Sequence, residues 1–506
     1  MSSMSAGEVQ ELLSTVQIDE ERFVGLLTKL IDNVATLQNN PSQPENYCTN
    51  AICSLFLRTD VRLRWCLFPS DRRSDRPHTP TASQNMVPKE DNASDHVLEL
   101  LKPYTTENGG PLEVERVHFT PGRGNVIIKY PGKPSSEEYN YRNINETTLD
   151  RRTGDKTVTF LGSHLDVVPA NPETWEVDPF HLTRDGDKLY GRGTTDCLGH
   201  VAMITDLMVE LAAKRPALSR TVLAIFIANE ENGEIEGVGV DGLHSSGKLD
   251  ELGIGKGPIF WVDSADSQPC VGTVGNMQWM IKANGKLFHS GLPHMAINPI
   301  EMVMEAVAMV QKRFYEDYPP HPDEKKYNYK CSSTMKPTQV QCASGSINQI
   351  PPHATVSGDC RVTPFYGVDK VQESIEKYVA EINADPSILP SRGAFSKYVL
   401  PAEGRQGTIE LTWVTKGEDG IACNLESEGA DALNAATATV IGQSAPYSIS
   451  GSLPLVRWLQ DQGYDVQICG YGLSSRYHAE NEYCSLAAMG NAVKILAGTV
   501  ARLEKN

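Results

Sequence analysis

Four acidic residues, Asp166, Asp196, Glu230 and Asp263, recur at intervals of 30, 34 and 33 residues. An interval of that length is about one strand-helix-strand unit. The runs Val126–Lys129, Thr157–Leu161, Val222–Ala228 and Ile259–Val262 are short and largely apolar, the pattern of strands buried on both faces. Helix-like stretches such as Gly199–Leu211 lie between the later ones. Strands alternating with helices predict an α/β domain with a mostly parallel sheet and helices on both faces. In such a fold, side chains just beyond the strands collect at the carboxyl edge of the sheet. The regular spacing therefore brings distant acids to one place.

The remainder of the chain predicts how that domain is divided. Residues Ile18–Ala35 carry apolar positions at helical spacing, and a short helix pattern resumes over Asp95–Tyr104. After Cys270 the pattern becomes strand, helix (about Asn298–Phe314), strand, strand (Thr355–Thr363), helix (Val368–Ile382) and strand (Thr408–Val414). That order is a smaller α+β domain. From about Gly420 helix and strand patterns return, including Val466–Cys469. The predicted organisation is a first domain over 1–275 and 419–506, interrupted by a second over 276–418. Residues 43–84 differ in composition, with six arginines, no lysine and three of the eleven cysteines, and read as an inserted, disordered surface loop.

Composition narrows the function classes. Forty-six basic against 64 acidic residues leave a net charge of −18, a field that repels nucleic acid and anionic membranes and tolerates cationic small molecules. The apolar run Thr221–Ala228 is far shorter than the roughly 20 residues needed to span a bilayer. The cysteines form no Cys-x-x-Cys pair, so neither a disulfide framework nor a thiolate zinc site is expected. The first residues carry early acids and no apolar core of a signal peptide, which makes a cytoplasmic location the expectation.

Chemistry concentrates on the carboxyl edge. His164 and Asp166 stand in GSHLDVVP, Asp196 in GRGTTDCLGH, Glu230 and Glu231 in IANEENGE, Asp263 in FWVDSAD, and His478 in RYHAENEY. Taken singly, each has an ordinary reading as a capping pair, a solvated helix start or a strand end. Gathered at one edge, so many carboxylates would repel one another and raise their pKa values unless divalent cations lay among them. Imidazole and carboxylate ligands suit Zn2+ and related ions, and two ions sharing a carboxylate make a hydrolytic centre.

These motifs, His-x-Asp, Gly-Arg-Gly-x-x-Asp, Glu-Glu, Asp and a late His, occur in the order seen in the M20 family of co-catalytic metal aminoacylases and deacylases, which the chain resembles from about Ile18 to its end, apart from residues 43–84. Within it, blocks such as ANPETW, INQIPPHATVSGD, PYSISGSLPL and YHAENEYC resemble the plant-type deacetylases that act on N2-acetyl-L-ornithine. The resemblance implies two Zn2+ or Co2+ ions, one held by His164, Asp196 and Asp263, the other by Asp196, Glu231 and His478. It implies Glu230 as general base, Asp166 as the residue that orients His164, and His289 of KLFHSG as a lid histidine that donates to the oxyanion. Asn348, Arg361, Gly451 and Ser452 match positions that hold the substrate, an N-acylated amino acid. The inserted domain then becomes a ferredoxin-like lid through which two copies pair as a homodimer. The implied reaction removes the acetyl group from N2-acetyl-L-ornithine, a step of arginine synthesis. An aminoacylase or dipeptidase of other specificity is the alternative.

Two further patterns compete. Gly237, Gly239 and Gly242 fit Gly-x-Gly-x-x-Gly with Asp263 about 20 residues on, the outline of an NAD-binding fingerprint. The glycines, however, begin nine residues after the strand, and the turn carries Glu230, Glu231, Glu234 and Glu236, which would repel a pyrophosphate. Cys197 beside Asp196 reads as a packed small residue rather than a nucleophile, and no Gly-x-Ser-x-Gly elbow is present.

Overall fold

The computed structural model describes residues 6–38, 87–132, 156–231, 235–395, 398–415, 417–453 and 455–504. The segment 43–84, read above as an inserted loop, lies outside the described residues.

The largest sheet has eight strands, in the order Glu113–Thr120, Arg123–Tyr130, Thr221–Phe226, Thr157–Leu161, Ile259–Val262, Val466–Cys469, Cys270–Gly272 and Tyr447–Ser448. The four central strands, from Thr221–Phe226 to Val466–Cys469, run parallel. Every residue in those four is buried, which is why their sequences are largely apolar and do not alternate regularly with charged residues. Long helices cover one face: Leu198–Lys214 packs against Glu20–Ile31 and Leu486–Leu503. Shorter helices, Val240–Ser245, Lys248–Leu252 and Val456–Asp461, close the other. The helix Leu486–Leu503 is long and apolar enough in composition to cross a bilayer, but its side chains fill this core against Glu428–Ile441.

The α/β class predicted above is the class observed, with local differences. The edge strand Glu113–Thr120 is not among the expected strands, because its half-exposed, charged sequence lacks an apolar run. It forms an antiparallel hairpin with Arg123–Tyr130, which in turn runs antiparallel to Thr221–Phe226, so this side of the sheet is not parallel. The helix predicted over Ile18–Ala35 is two helices, Glu20–Ile31 and Val34–Leu37, interrupted at Asp32 and Asn33.

A second sheet has four antiparallel strands in the order Thr334–Cys342, His353–Val362, Gly275–Asn284 and Thr408–Trp413. Helices Pro299–Asp317 and Val368–Ala384 join them in the βαββαβ order of a ferredoxin-like unit. Burial alternates along Gly275–Asn284, placing Met277, Trp279, Ile281 and Ala283 under the two helices. The opposite face holds Asn276, Gln278 and Arg361. This unit has its own core, distinct from the two beside the large sheet.

Candidate metal centre

Three turns at the carboxyl edge of the large sheet build the centre. After Thr157–Leu161 the chain turns at Gly162, whose φ of +100° and contact with the Trp261 ring leave no room for a Cβ. His164 and Asp166 follow, both fully buried. Nδ1 of His164 lies 2.8 Å from the backbone carbonyl of Asp166. A carbonyl only accepts, so Nδ1 donates and the Nε2 lone pair is left facing Asp196 Oδ1 at 2.9 Å. The carboxylate of Asp166 reaches further: its two oxygens accept the backbone N–H groups of Glu230 and Glu231 at 3.0 and 3.2 Å. The resemblance implied that this side chain orients His164; its Oδ1 stands 3.6 Å from His164 Nδ1, beside the closer main-chain carbonyl, and the same carboxylate holds the Glu-Glu turn as well.

The second turn follows Thr221–Phe226. Asn229 has φ of +59°, and its N–H donates to the buried Glu90 at 3.2 Å. Glu90 is held by Arg123 through contacts of 2.9 and 2.5 Å, both side chains being out of water. The Glu90–Arg123 pair thus fixes the residue before Glu230. The third turn, Gly191 to Asp196, brings Asp196 between two imidazoles: Oδ1 faces His164, and Oδ2 lies 3.2 Å from Nε2 of His478. His478 Nε2 is also 3.3 Å from Glu231 Oε1. Asp263 ends the strand Ile259–Val262, with Cys197 close by.

Ligand atoms of His164, Asp196, Cys197 and Asp263 lie within 4.8 Å of one another, as do those of His164, Glu230 and Glu231, and those of Asp196, Glu231 and His478. The structure therefore brings together all five predicted metal ligands, with Glu230 beside them, its Oε2 3.8 Å from His164 Nε2. The electrostatics express crowding. Burial, and then the neighbours Asp263, Glu231 and Asp196, lift Glu230 well above the carboxylate range although His164 opposes the shift. Burial and Asp196 push Asp263 up to about 7. Contacts with Asp196 and Glu231 push His478 up to about 10. Asp196 alone is held low, its two imidazole contacts outweighing burial. A lone pair 2.9 Å from a carboxylate oxygen needs a proton or a cation between them, and the donor set of imidazole nitrogens and carboxylate oxygens fits two divalent ions sharing Asp196.

The other predicted residues lie in two further places. Arg361, Gly451 and Ser452 meet where the small sheet adjoins the large domain: Arg361 Nε donates to Asp359 at 2.7 Å, Nη1 is 3.5 Å from the carbonyl of Ser450, and Ser452 Oγ accepts from Asn276 at 2.6 Å. His289 and Asn348 occupy an exposed corner of the small domain, joined by the backbone bond from Ser290 N–H to the Asn348 carbonyl. His289 Nδ1 accepts from Gly291 N–H at 2.9 Å. It belongs to none of the ligand groups.

The competing motifs resolve locally. The Asp241 carboxylate accepts the N–H groups of Gly237 and Gly239, so the turn's donors are already taken, and a Cβ at Gly239 would meet the Ala228 carbonyl at 2.1 Å. Gly239 and Gly242 serve packing, and Gly237 supplies a φ of +82°. Cys197 is buried and its thiol is pushed well above its usual range by burial and by Asp263, which suits a packed thiol and not a nucleophile. His200, pushed down to about 4 by burial, accepts from Tyr471 N–H and so places its Nδ1–H 3.3 Å from that sulfur. Sequence reasoning missed Glu90, Arg123 and Glu482, each buried with its charge paired. For Glu482 the one available signal was its place four residues after His478; Glu90 carries none.

Residues 160–502 match the peptidase family M20/M25/M40. The acetylornithine deacetylase of Arabidopsis thaliana is 44% identical over 506 residues, covering 100% of both chains. That of Dictyostelium discoideum is 43% identical over 502 residues, covering 98% of this chain and 99% of its own. Among solved structures, the Saccharomyces cerevisiae di-peptidase Dug1p superposes with a TM-score of 0.61 over 100% of both chains at 15% identity, a likeness of fold. The ligand groups, their order along the chain and these full-length matches show that the chain belongs to peptidase family M20/M25/M40.

Proposed function

We propose that this protein is a metal-dependent amide hydrolase that releases acetate from N2-acetyl-L-ornithine, leaving L-ornithine. The observation that carries the hydrolytic reading is the pair of ligand groups sharing Asp196, with Glu230 beside them at a raised pKa. The choice of substrate is supported by full-length similarity to two acetylornithine deacetylases. The acidic protein also suits a substrate with a cationic side chain.

Two divalent cations, Zn2+ or Co2+, would be held by His164, Asp196 and Asp263 and by Asp196, Glu231 and His478, supplying Lewis-acid polarisation of the acyl carbonyl and a water of lowered pKa. Glu230, kept above the carboxylate range by burial, takes the proton of the attacking water and later passes it to the departing amine. The backbone clamp from Asp166 holds Glu230 and Glu231 at fixed spacing, so base and ligand do not exchange places. Arg361, tethered by Asp359 through Nε and leaning on the Ser450 carbonyl through Nη1, keeps Nη2 for the substrate α-carboxylate. His289 donates to the oxyanion once its exposed corner is brought over the centre by domain closure or by a neighbouring subunit. A homodimer through the small domain supports the second route: the strand Thr334–Cys342 is an edge of its sheet, and Val340 on it is 72% exposed.

Acetate release from N2-acetyl-L-ornithine and from N-acetyl-L-methionine, by metal-stripped protein with and without added Zn2+ or Co2+, tests the proposal. Activity restored by metal and favouring the ornithine derivative is expected. Preference for the methionine derivative would make the protein a general aminoacylase. Light scattering during size-exclusion chromatography should give twice 55.5 kDa; a fully active 55.5 kDa species would refute the dimer.

A further inference from the structure

One buried carboxylate outside the ligand groups is tied to the turn that carries Asp196. Glu482 is fully buried. Its Oε1 accepts the backbone N–H groups of Thr195 at 2.7 Å and Asp196 at 3.0 Å. Its Oε2 accepts the N–H of Gly193 at 3.1 Å and Nη1 of Arg192 at 2.6 Å. The tie is reinforced on either side: Gly191 N–H donates to the Glu482 carbonyl, Thr195 Oγ1 donates to the Tyr483 carbonyl at 2.8 Å, and Tyr483–Ser485 pairs with Lys188–Tyr190.

We infer that Glu482 is a positioning residue that sets the Asp196 carboxylate between the two imidazoles. Three main-chain N–H groups of one turn point at a single anion, the arrangement of an anion-binding nest, and here the anion is a side chain of the protein. Four donors require a group with no hydrogens of its own and two oxygens; only a carboxylate meets that demand, since an amide would turn one NH2 toward N–H groups. Arg192 supplies the counter-charge beside a centre already rich in carboxylates. Gly193 has φ of +93°, and a Cβ there would stand within 3.0 Å of Val167 and Leu198, so only glycine lets this N–H turn toward the same anion. Because Glu482 lies four residues after His478, one short segment delivers a ligand and also clamps the turn that bears the shared ligand. The spacing of Asp196 from His478 is thereby fixed from both ends.

This inference rests on the metal-centre reading and is independent of the substrate. Its test is zinc affinity, measured by chelator competition on metal-stripped full-length protein. Glu482→Gln puts a donor against donors, and Glu482→Asp keeps the charge for Arg192 while withdrawing the oxygens by one methylene. Both are expected to bind zinc at least ~10-fold more weakly, the effect of losing a residue that orients a ligand. Leu496→Ala, in the core of the last helix and fully buried, lowers melting temperature without touching the turn and should keep zinc affinity within about 2-fold. Folded Glu482→Asp protein binding both ions with unchanged affinity would overturn the inference, as would an equal loss in Leu496→Ala. Failure of the unsubstituted protein to take up zinc would instead overturn the centre itself.

Discussion

The ligand cluster and the His289 corner are opposites in construction. At the cluster, His164, Asp166 and Asp196 are buried, and the turns that present Glu230, Glu231 and Asp196 are held by long-range hydrogen bonds to Asp166, Glu90 and Glu482. At the corner, His289 and Asn348 are exposed, and their bonds stay local, to Ser290, Gly291, Leu292 and Ser346, with His289 paired to Gln349 across two short strands. The first region is organised by the fold of one chain. The second, on the function proposed above, joins the centre by closure of the small domain or through a neighbouring subunit. Metal binding and turnover should therefore be separable by mutation.

The largest expected effect falls on turnover alone. Glu230→Gln should retain both metal equivalents and lose at least ~100-fold in kcat, as general-base catalysis implies; elemental analysis of the purified variant alongside acetate release checks both, and loss of a metal equivalent would make Glu230 a ligand. His289→Ala sharpens the contrast from the other side. Loss of one oxyanion donor should cost about 100-fold in kcat with zinc affinity unchanged. Zinc loss in this variant would break the separation of the two regions.

The pH dependence of metal binding probes the cluster by itself. In the metal-free protein Asp263 is pushed up to about 7 and His478 up to about 10, so at pH 6 both carry protons that ligation must displace, and by pH 8 Asp263 has lost its own. The sign follows: zinc affinity rises as pH is raised from 6 to 8, and binding releases protons. Calorimetry in buffers of different ionisation enthalpy should give different apparent heats; identical heats would remove the protonated ligands from the account. The smallest effect concerns Arg361. Replacement by Lys keeps the charge but loses the planar fork, and should raise KM about 10-fold with kcat nearly unchanged, read from steady-state rates.

Much of this site was legible before folding. Residues at strand ends spaced by one strand-helix-strand unit led to His164, Asp166, Asp196, Glu230, Glu231 and Asp263, with His478 as a further imidazole, and the resemblance divided them between two ions and a base. Glu90 and Glu482 were not legible, since their partners are 139 and 286 residues away and an isolated Glu has no pattern that separates a buried clamp from a solvated surface charge. The second task of Asp166 was hidden for a related reason. An alternation argument places His164 and Asp166 on one side of an extended chain, and Asp166 Oδ1 does stand 3.6 Å from His164 Nδ1, but the chain after Leu161 leaves the strand, and the turn also aims the carboxylate at the N–H groups of Glu230 and Glu231.

By itself the sequence determined the α/β class, the edge at which the acids gather and the chemical type of the ligands, because hydrophobic period and residue type are local properties. Only the tertiary structure decided which oxygen meets which nitrogen, which buried charges hold the turns, and that His289 stands apart from the cluster. Those outcomes depend on the conformation of loops, and loop backbone is set by donors and acceptors supplied from distant parts of the chain.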